Sequence, residues 1–221
     1  MTPESEAVAR LESCEGPIKS EDIAHLSAFF LDLRRIEETA NLASPLQLRE
    51  GHWALLGLVS RAYQLSLCCI EMLAGKNWNG FYAGARGLAE AVAALAWALE
   101  KVERLPLLVR EDPIVIGRIM GAGYRRHPEL KAMYRGMSFA VHPARSGHLL
   151  GFHPEHEQGV GIMTSFSMDF SEYFFETKVA TLLVLIAWFA VDARELSGLN
   201  GGAALGQGRV MISKKEARPK A

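Results

Sequence analysis

Apolar residues recur at helical spacing along most of this chain, and proline, glycine and capping residues cut the pattern into six segments. In "SEDIAHLSAFFLDLRRIEETANLA" (20–43) the apolar positions fall on one face, Ser20 is placed to cap the helix, acidic residues fill the first turn, and Pro45 follows the end. Residues 47–74 predict a second helix stopped by Gly75, and 79–104 a third, capped by Asn79 and ending ahead of Pro106. Both are apolar nearly all round, the pattern of helices in the middle of a bundle. Pro113 can open a shorter helix over 114–127, weakened by Gly117, Gly121 and Gly123; Pro128 can start another over 129–142, which Pro143 stops.

Between 144 and 168 the period changes. "HLLGFHP" and "GVGIMTSFSM" are short β-compatible runs around the polar "EHEQG", which reads as a hairpin. A last long helix is expected from about Asp169 to Ser197. The glycine-rich, basic-ended 198–221 reads as a flexible tail, and 1–17 as a flexible N-terminus. The expected architecture is therefore all-α: one domain over 18–197, a helical bundle with a small β-hairpin insertion (about 144–168) before its last long helix.

Composition refines this picture. The chain has 221 residues, 49% of them hydrophobic and 22% charged, with a mean hydropathy of +0.07. That apolar surplus points to a large core, an oligomer interface, or both. With 24 Lys+Arg against 25 Asp+Glu, the chain lacks the basic footprint of a protein that grips long nucleic acid by its phosphates. Cys14, Cys68 and Cys69 show no CxxC spacing and read as buried, reduced thiols. The acidic start "MTPESEAVARLESCEGP" lacks the basic-then-apolar order of a secretory signal, so a cytoplasmic location is expected. The run "VATLLVLIAWFAV" (179–191) is shorter than the roughly 20 residues that span a bilayer, and the other apolar stretches carry Arg61 and Glu71 or Arg86 and Glu90. No membrane partner is expected.

Candidate chemistry rests on isolated polar residues. Arg86 and Glu90 are the only charges between Trp78 and Leu99, and their i,i+4 spacing puts them on one helix face. On a central helix they must pair or meet other polar groups, either as an ion pair fixing register or as part of a functional cluster. Arg61 is the other isolated charge expected to point inward. In "YRGMSFAVHP" (134–143), Arg135 and His142 are seven apart, nearly two turns, so a helix places both on one face about 10 Å apart. The plainer alternative is a histidine stabilised by the helix C-terminal dipole, with an exposed arginine two turns earlier. His142, His148, His153 and His156 fall close together, with Glu155 and Glu157 beside the last two. They raise a metal site, yet they match no HExxH or Cys/His signature, and a solvated hairpin tip is favoured. GxGxxG, GxxxxGK[ST] and GxSxG motifs are missing, so no cofactor is expected.

A helical bundle with "ARGLAE" in a central helix and "YRGMSFAVHP" at the end of a later one resembles the HEPN superfamily of prokaryotic all-α proteins. More narrowly, it resembles bacterial relatives of unassigned function with a Tyr-x-x-x-Ser-x-x-x-His-Pro stretch, here Tyr134, Ser138, His142 and Pro143. The likeness covers about residues 50 to 195. It implies a metal-independent endoribonuclease of a bacterial toxin–antitoxin or phage-defence system, with Arg135 and His142 catalytic and six residues between them. Arg61, Arg86, Glu90, Tyr134 and Ser138 would then line the same cleft. It also implies a homodimer, with RNA or a nucleotide as ligand and an antitoxin or other protein as partner. Gly136 stands where the family usually carries a polar residue. The alternatives are a non-catalytic HEPN-like module that binds a nucleotide or a protein, and a metal-binding protein using the histidine-rich hairpin.

Overall fold

The computed structural model describes residues 2–14, 18–41, 49–110, 116–141, 152–155, 159–162 and 172–198. Among them the chain is all-α, with seven α-helices and one 3-10 helix. They are α1 (Pro3–Ser13), α2 (Ser20–Asn41), α3 (Glu50–Ala74), α4 (Trp78–Glu100), the 3-10 helix Val102–Val109, α5 (Ile116–Arg126), α6 (Leu130–Val141) and α7 (Glu172–Gly198).

Helix α4 is the axis of the bundle, packing against α3, α5, α6, α7 and the 3-10 helix. It can do so because its side chains are small and apolar on every side: Ala85, Leu88, Ala89, Val92, Ala93, Leu95 and Ala98 are all fully buried. Two glycines bring neighbours in close. A Cβ on Gly84 would sit 2.8 Å from Cys69 Sγ of α3, and one on Gly123 of α5 would sit 2.7 Å from Ala93 Cβ. The cap lies two residues before the expected one, because Asn77 rather than Asn79 takes the N–H of Gly80 on its side-chain oxygen at 3.0 Å, and the helix begins at Trp78. It also ends earlier than expected, at Glu100. The chain then tightens into the 3-10 helix that contains Pro106, and Arg104 folds back to donate to the carbonyl of Trp97 at 3.1 Å. That side chain satisfies a carbonyl left open at the helix end.

Helix α3 departs from expectation in a second way. It is not buried all round: Trp53, Gly57, Arg61, Gln64 and Cys68 form an exposed stripe at helical spacing. Arg61 therefore lies outward, and Cys68 is an exposed thiol, while Cys69 is buried and Cys14 half-buried. Burial pushes the Cys69 thiol far above its ordinary range. By length and composition helix α3 is apolar enough to cross a membrane. Here its Leu55, Ala62, Ile70 and Leu73 belong to the common core.

The expected flexible N-terminus is instead a packed helix. Thr2 and Ser5 cap each other, with Ser5 N–H donating to Thr2 Oγ1 at 3.4 Å and Thr2 N–H to Ser5 Oγ at 3.0 Å. Ala7, Val8 and Leu11 reach the core, and α1 packs on α2 and α3. One further boundary moves by a residue: Ser20 is the first helical residue of α2, and Asp22 Oδ2 accepts from Lys19 N–H at 3.2 Å.

The insertion expected over 144–168 lies largely outside the described residues. Of that region only two four-residue backbone segments are described, Phe152–Glu155 and Gly159–Ile162, paired antiparallel with Phe152 opposite Ile162. The class remains all-α. Pro113, Pro143 and the tail 199–221 also lie outside the described residues.

Candidate functional site

The sequence "YRGMSFAVHP" splits across two sides of α6. Leu130, Met133, Tyr134, Met137 and Ser138 repeat at helical spacing and turn toward the core, whereas Arg135 and Gly136 are exposed. Leu130 and Met137 anchor α6 on α4, and this anchoring delivers the phenol of Tyr134 to the Arg86–Glu90 pair. Arg86 Nε donates to Tyr134 Oη at 3.2 Å, Tyr134 Oη donates to Glu90 Oε1 at 3.0 Å, and Arg86 Nε lies 3.3 Å from the same carboxylate oxygen. The Arg86 guanidinium also stands over the Tyr134 ring, 5.3 Å from its centre. From α3, Arg61 Nη2 approaches Glu90 Oε2 at 3.8 Å. Four of the predicted residues, Arg61, Arg86, Glu90 and Tyr134, therefore form one cluster contributed by three helices.

This cluster is half open to solvent: side-chain exposure is 55% for Arg61, 37% for Arg86 and 25% for Glu90. The two charges on the central helix are thus partly buried and meet other polar groups, as their isolation in an apolar segment implied. The hydrogen bond with Tyr134, and then the nearby phenol and carboxylate, hold Arg86 above its ordinary pKa against the opposing pull of burial. Burial raises the Tyr134 phenol in turn, so it remains a proton donor to Glu90 at neutral pH. Arg135 follows Tyr134 directly and lies near enough to Tyr124 for its charge to act on that phenol. Arg135 makes no ion pair or hydrogen bond among the described residues. One turn on from Tyr134, the Ser138 hydroxyl is buried without a hydrogen-bond partner among the described residues. His142, the other half of the predicted catalytic pair, lies outside the described residues.

A second ionic cluster, which sequence reading did not single out, joins α5 to α7. Asp192 is fully buried and accepts from Arg126 Nε at 2.7 Å, and His127 Nε2 lies 2.9 Å from its other oxygen. Arg126 also pairs with Glu195, and His127 stacks on Trp188 with 4.7 Å between ring centres. Burial opposes the charge of Arg126, but Asp192 and then Glu195 outweigh it and raise its pKa. The signal was available: Asp192 is the first charge after the apolar run 179–191, in the same helix.

Among the described residues no group of His, Cys, Asp and Glu could hold a metal ion. His148 and His156 lie outside them, and of His153 only the backbone is described. Comparison with family models, with curated proteins and with solved structures finds no match.

Proposed function

We propose that this chain is a HEPN-like helical protein that binds a phosphate-bearing ligand, RNA or a nucleotide, in the groove between α3, α4 and α6. One observation carries the reading: cations outnumber anions there. Arg61 and Arg86 share the single carboxylate of Glu90, and Arg135, exposed on α6, has no ion-pair partner among the described residues. Guanidinium groups that are half exposed and under-neutralised recognise phosphate oxygens by paired, charge-assisted hydrogen bonds. The chain's near-neutral total charge suits a local anion site better than a long nucleic-acid track. A cytoplasmic, homodimeric protein is the setting this reading implies.

A second reading adds catalysis by Arg135 and His142, favoured by the exposure of Arg135 and by the seven-residue spacing. In it, His142 takes the proton of a ribose 2′-OH, whose oxygen attacks the adjacent phosphorus. Arg135 neutralises the charge gathering on the non-bridging oxygens, and the 5′-oxygen leaves with a proton. A Cβ on Gly136 would meet nothing within 4 Å. That space is open where the family usually has a polar side chain, so binding without turnover ranks first.

The test is titration of labelled single-stranded RNA and of ATP into the protein in EDTA, with the RNA recovered afterwards. Binding that weakens at least tenfold in the double variant Arg61→Gln/Arg86→Gln, with the RNA intact, supports the first reading. Cleavage leaving 2′,3′-cyclic phosphate ends, lost in Arg135→Ala and in His142→Ala, supports the second. If the wild type binds neither ligand at low salt, both readings fail.

A further inference from the structure

Away from that groove, and sharing no residue with it, α1, α2 and α3 enclose an open cavity of about 570 Å³. Its size is that of a small-molecule site. Trp53, Leu56 and Val59 of α3 and Leu33 of α2 supply an apolar wall, and Trp53 keeps 40% of its surface exposed although three other tryptophans were available to the core.

Gly57 lines the same cavity one turn after Trp53. Glycine in a helix interior destabilises it relative to alanine and is usually explained by close packing. Gly84 and Gly123 have that explanation; Gly57 does not, since a Cβ there would meet nothing within 4 Å. Its effect is to leave the space beside the Trp53 indole unfilled.

The charges at the rim are unequal. Glu4 is buried and already neutralised, since Arg34 pairs with it and Tyr63 Oη donates to it at 2.9 Å. Glu37 also lines the cavity and has no ion pair or hydrogen bond among the described residues. One uncompensated carboxylate therefore faces a cavity with an exposed indole and a phenol on its wall.

We infer that the α1–α2–α3 cavity is a binding site for a small organic cation with an apolar body, an alkyl- or arylammonium, held by Trp53 and Glu37 in the space that Gly57 leaves open. An ammonium group is attracted by the indole face and the carboxylate together, and its apolar part covers Leu56 and Val59.

Benzyltrimethylammonium is the probe, titrated calorimetrically and followed by the indole N–H resonances of the full-length protein, with phenylacetate and benzyl alcohol as anionic and neutral controls. The expected result is binding of the cation at millimolar concentration or below, a shift of the Trp53 resonance, and a preference of about fivefold over benzyl alcohol. Gly57→Leu places a side chain in the cavity, its Cβ meeting nothing within 4 Å among the described residues; it should abolish binding with the melting temperature unchanged or raised. Glu37→Gln should remove the preference for the cation and leave benzyl alcohol as before. A wild type in which Trp53 is unmoved at about 10 mM cation, or a folded Gly57→Leu protein that binds as tightly as wild type, overturns the inference.

Discussion

The two ionic clusters use the same side-chain types to opposite ends. At α5–α7, Asp192 is wholly enclosed and, with Glu195, saturates Arg126, while His127 and Trp188 close the remaining side. Little there is left for a ligand to satisfy, and the contact fastens the last long helix to the middle of the bundle. At α3–α4–α6 one carboxylate serves two half-exposed guanidiniums. The difference lies in which sign is in excess and in whether the shared carboxylate is buried, since Asp192 is wholly enclosed while Glu90 is 25% exposed. A saturated cluster built on a buried carboxylate is a structural fastening, and removing one of that carboxylate's partners is costly. An unsaturated, wet one costs little to hold and can still take up an anion.

The sharpest way to break this comparison is to remove a fastening residue. Arg126→Met leaves Asp192 fully buried with His127 as its remaining partner, and should cost about 3 kcal/mol of stability in urea unfolding without changing RNA or ATP affinity. A loss under about 1 kcal/mol would put this cluster in the same class as the exposed one. A smaller effect is expected from Tyr134→Phe, which deletes the hydroxyl that links Arg86 to Glu90: about 1 kcal/mol of stability, with weaker anion binding as Arg86 loses its position. Smaller still in stability is Glu90→Gln. It removes the only carboxylate of the exposed cluster, so affinity for RNA should rise and its salt dependence steepen, with a stability loss below about 1 kcal/mol. A fall in affinity would show that Glu90 holds the arginines in place more than it competes with the ligand.

Most of the fold was legible because its breaks are chemical. Gly75 ends α3 as read, Pro128 precedes α6, and the nearly all-round apolar pattern of 79–99 put α4 at the centre, where it lies. Helix α1 was missed because it is short and acidic, and three apolar residues on one stripe signal little until α2 and α3 cover them. The same tertiary dependence explains Arg61: an isolated charge in an apolar segment looks inward, yet the exposed stripe from Trp53 to Cys68 turns it to solvent. At the site, i,i+4 spacing gave the Arg86–Glu90 pair, and the motif gave Tyr134. Their meeting depends on how α6 rests on α4, which no local pattern encodes. Asp192 shows the converse: it closes an apolar run, and its partners Arg126 and His127 are more than 60 residues away in sequence.

The smallest effect tests a third polar contact, the start of α3, and separates it from both clusters by pH. His52 Nδ1 accepts from the backbone N–H of Arg49 at 3.2 Å, a bond that only the neutral ring can make on that nitrogen. Burial, and after it the charge of Arg49, lowers the His52 pKa below its ordinary 6.5. The folded state therefore binds fewer protons here than the unfolded one, and the contribution is fully present above pH 6.5 and declines as pH falls through the window beneath it. Glu100 behaves differently. Arg104 and then Arg125 hold its carboxyl below 4.5, so its contribution is lost only under more acid conditions. Unfolding measured between pH 7.5 and 5 should thus show a decline of less than about 1 kcal/mol, the size of a helix cap. His52→Gln keeps an acceptor at the third helical position and cannot take up a proton, so it should flatten that decline while preserving stability at pH 7.5. An unchanged slope in His52→Gln would move the titrating group elsewhere and leave the cap without a role in the acid response.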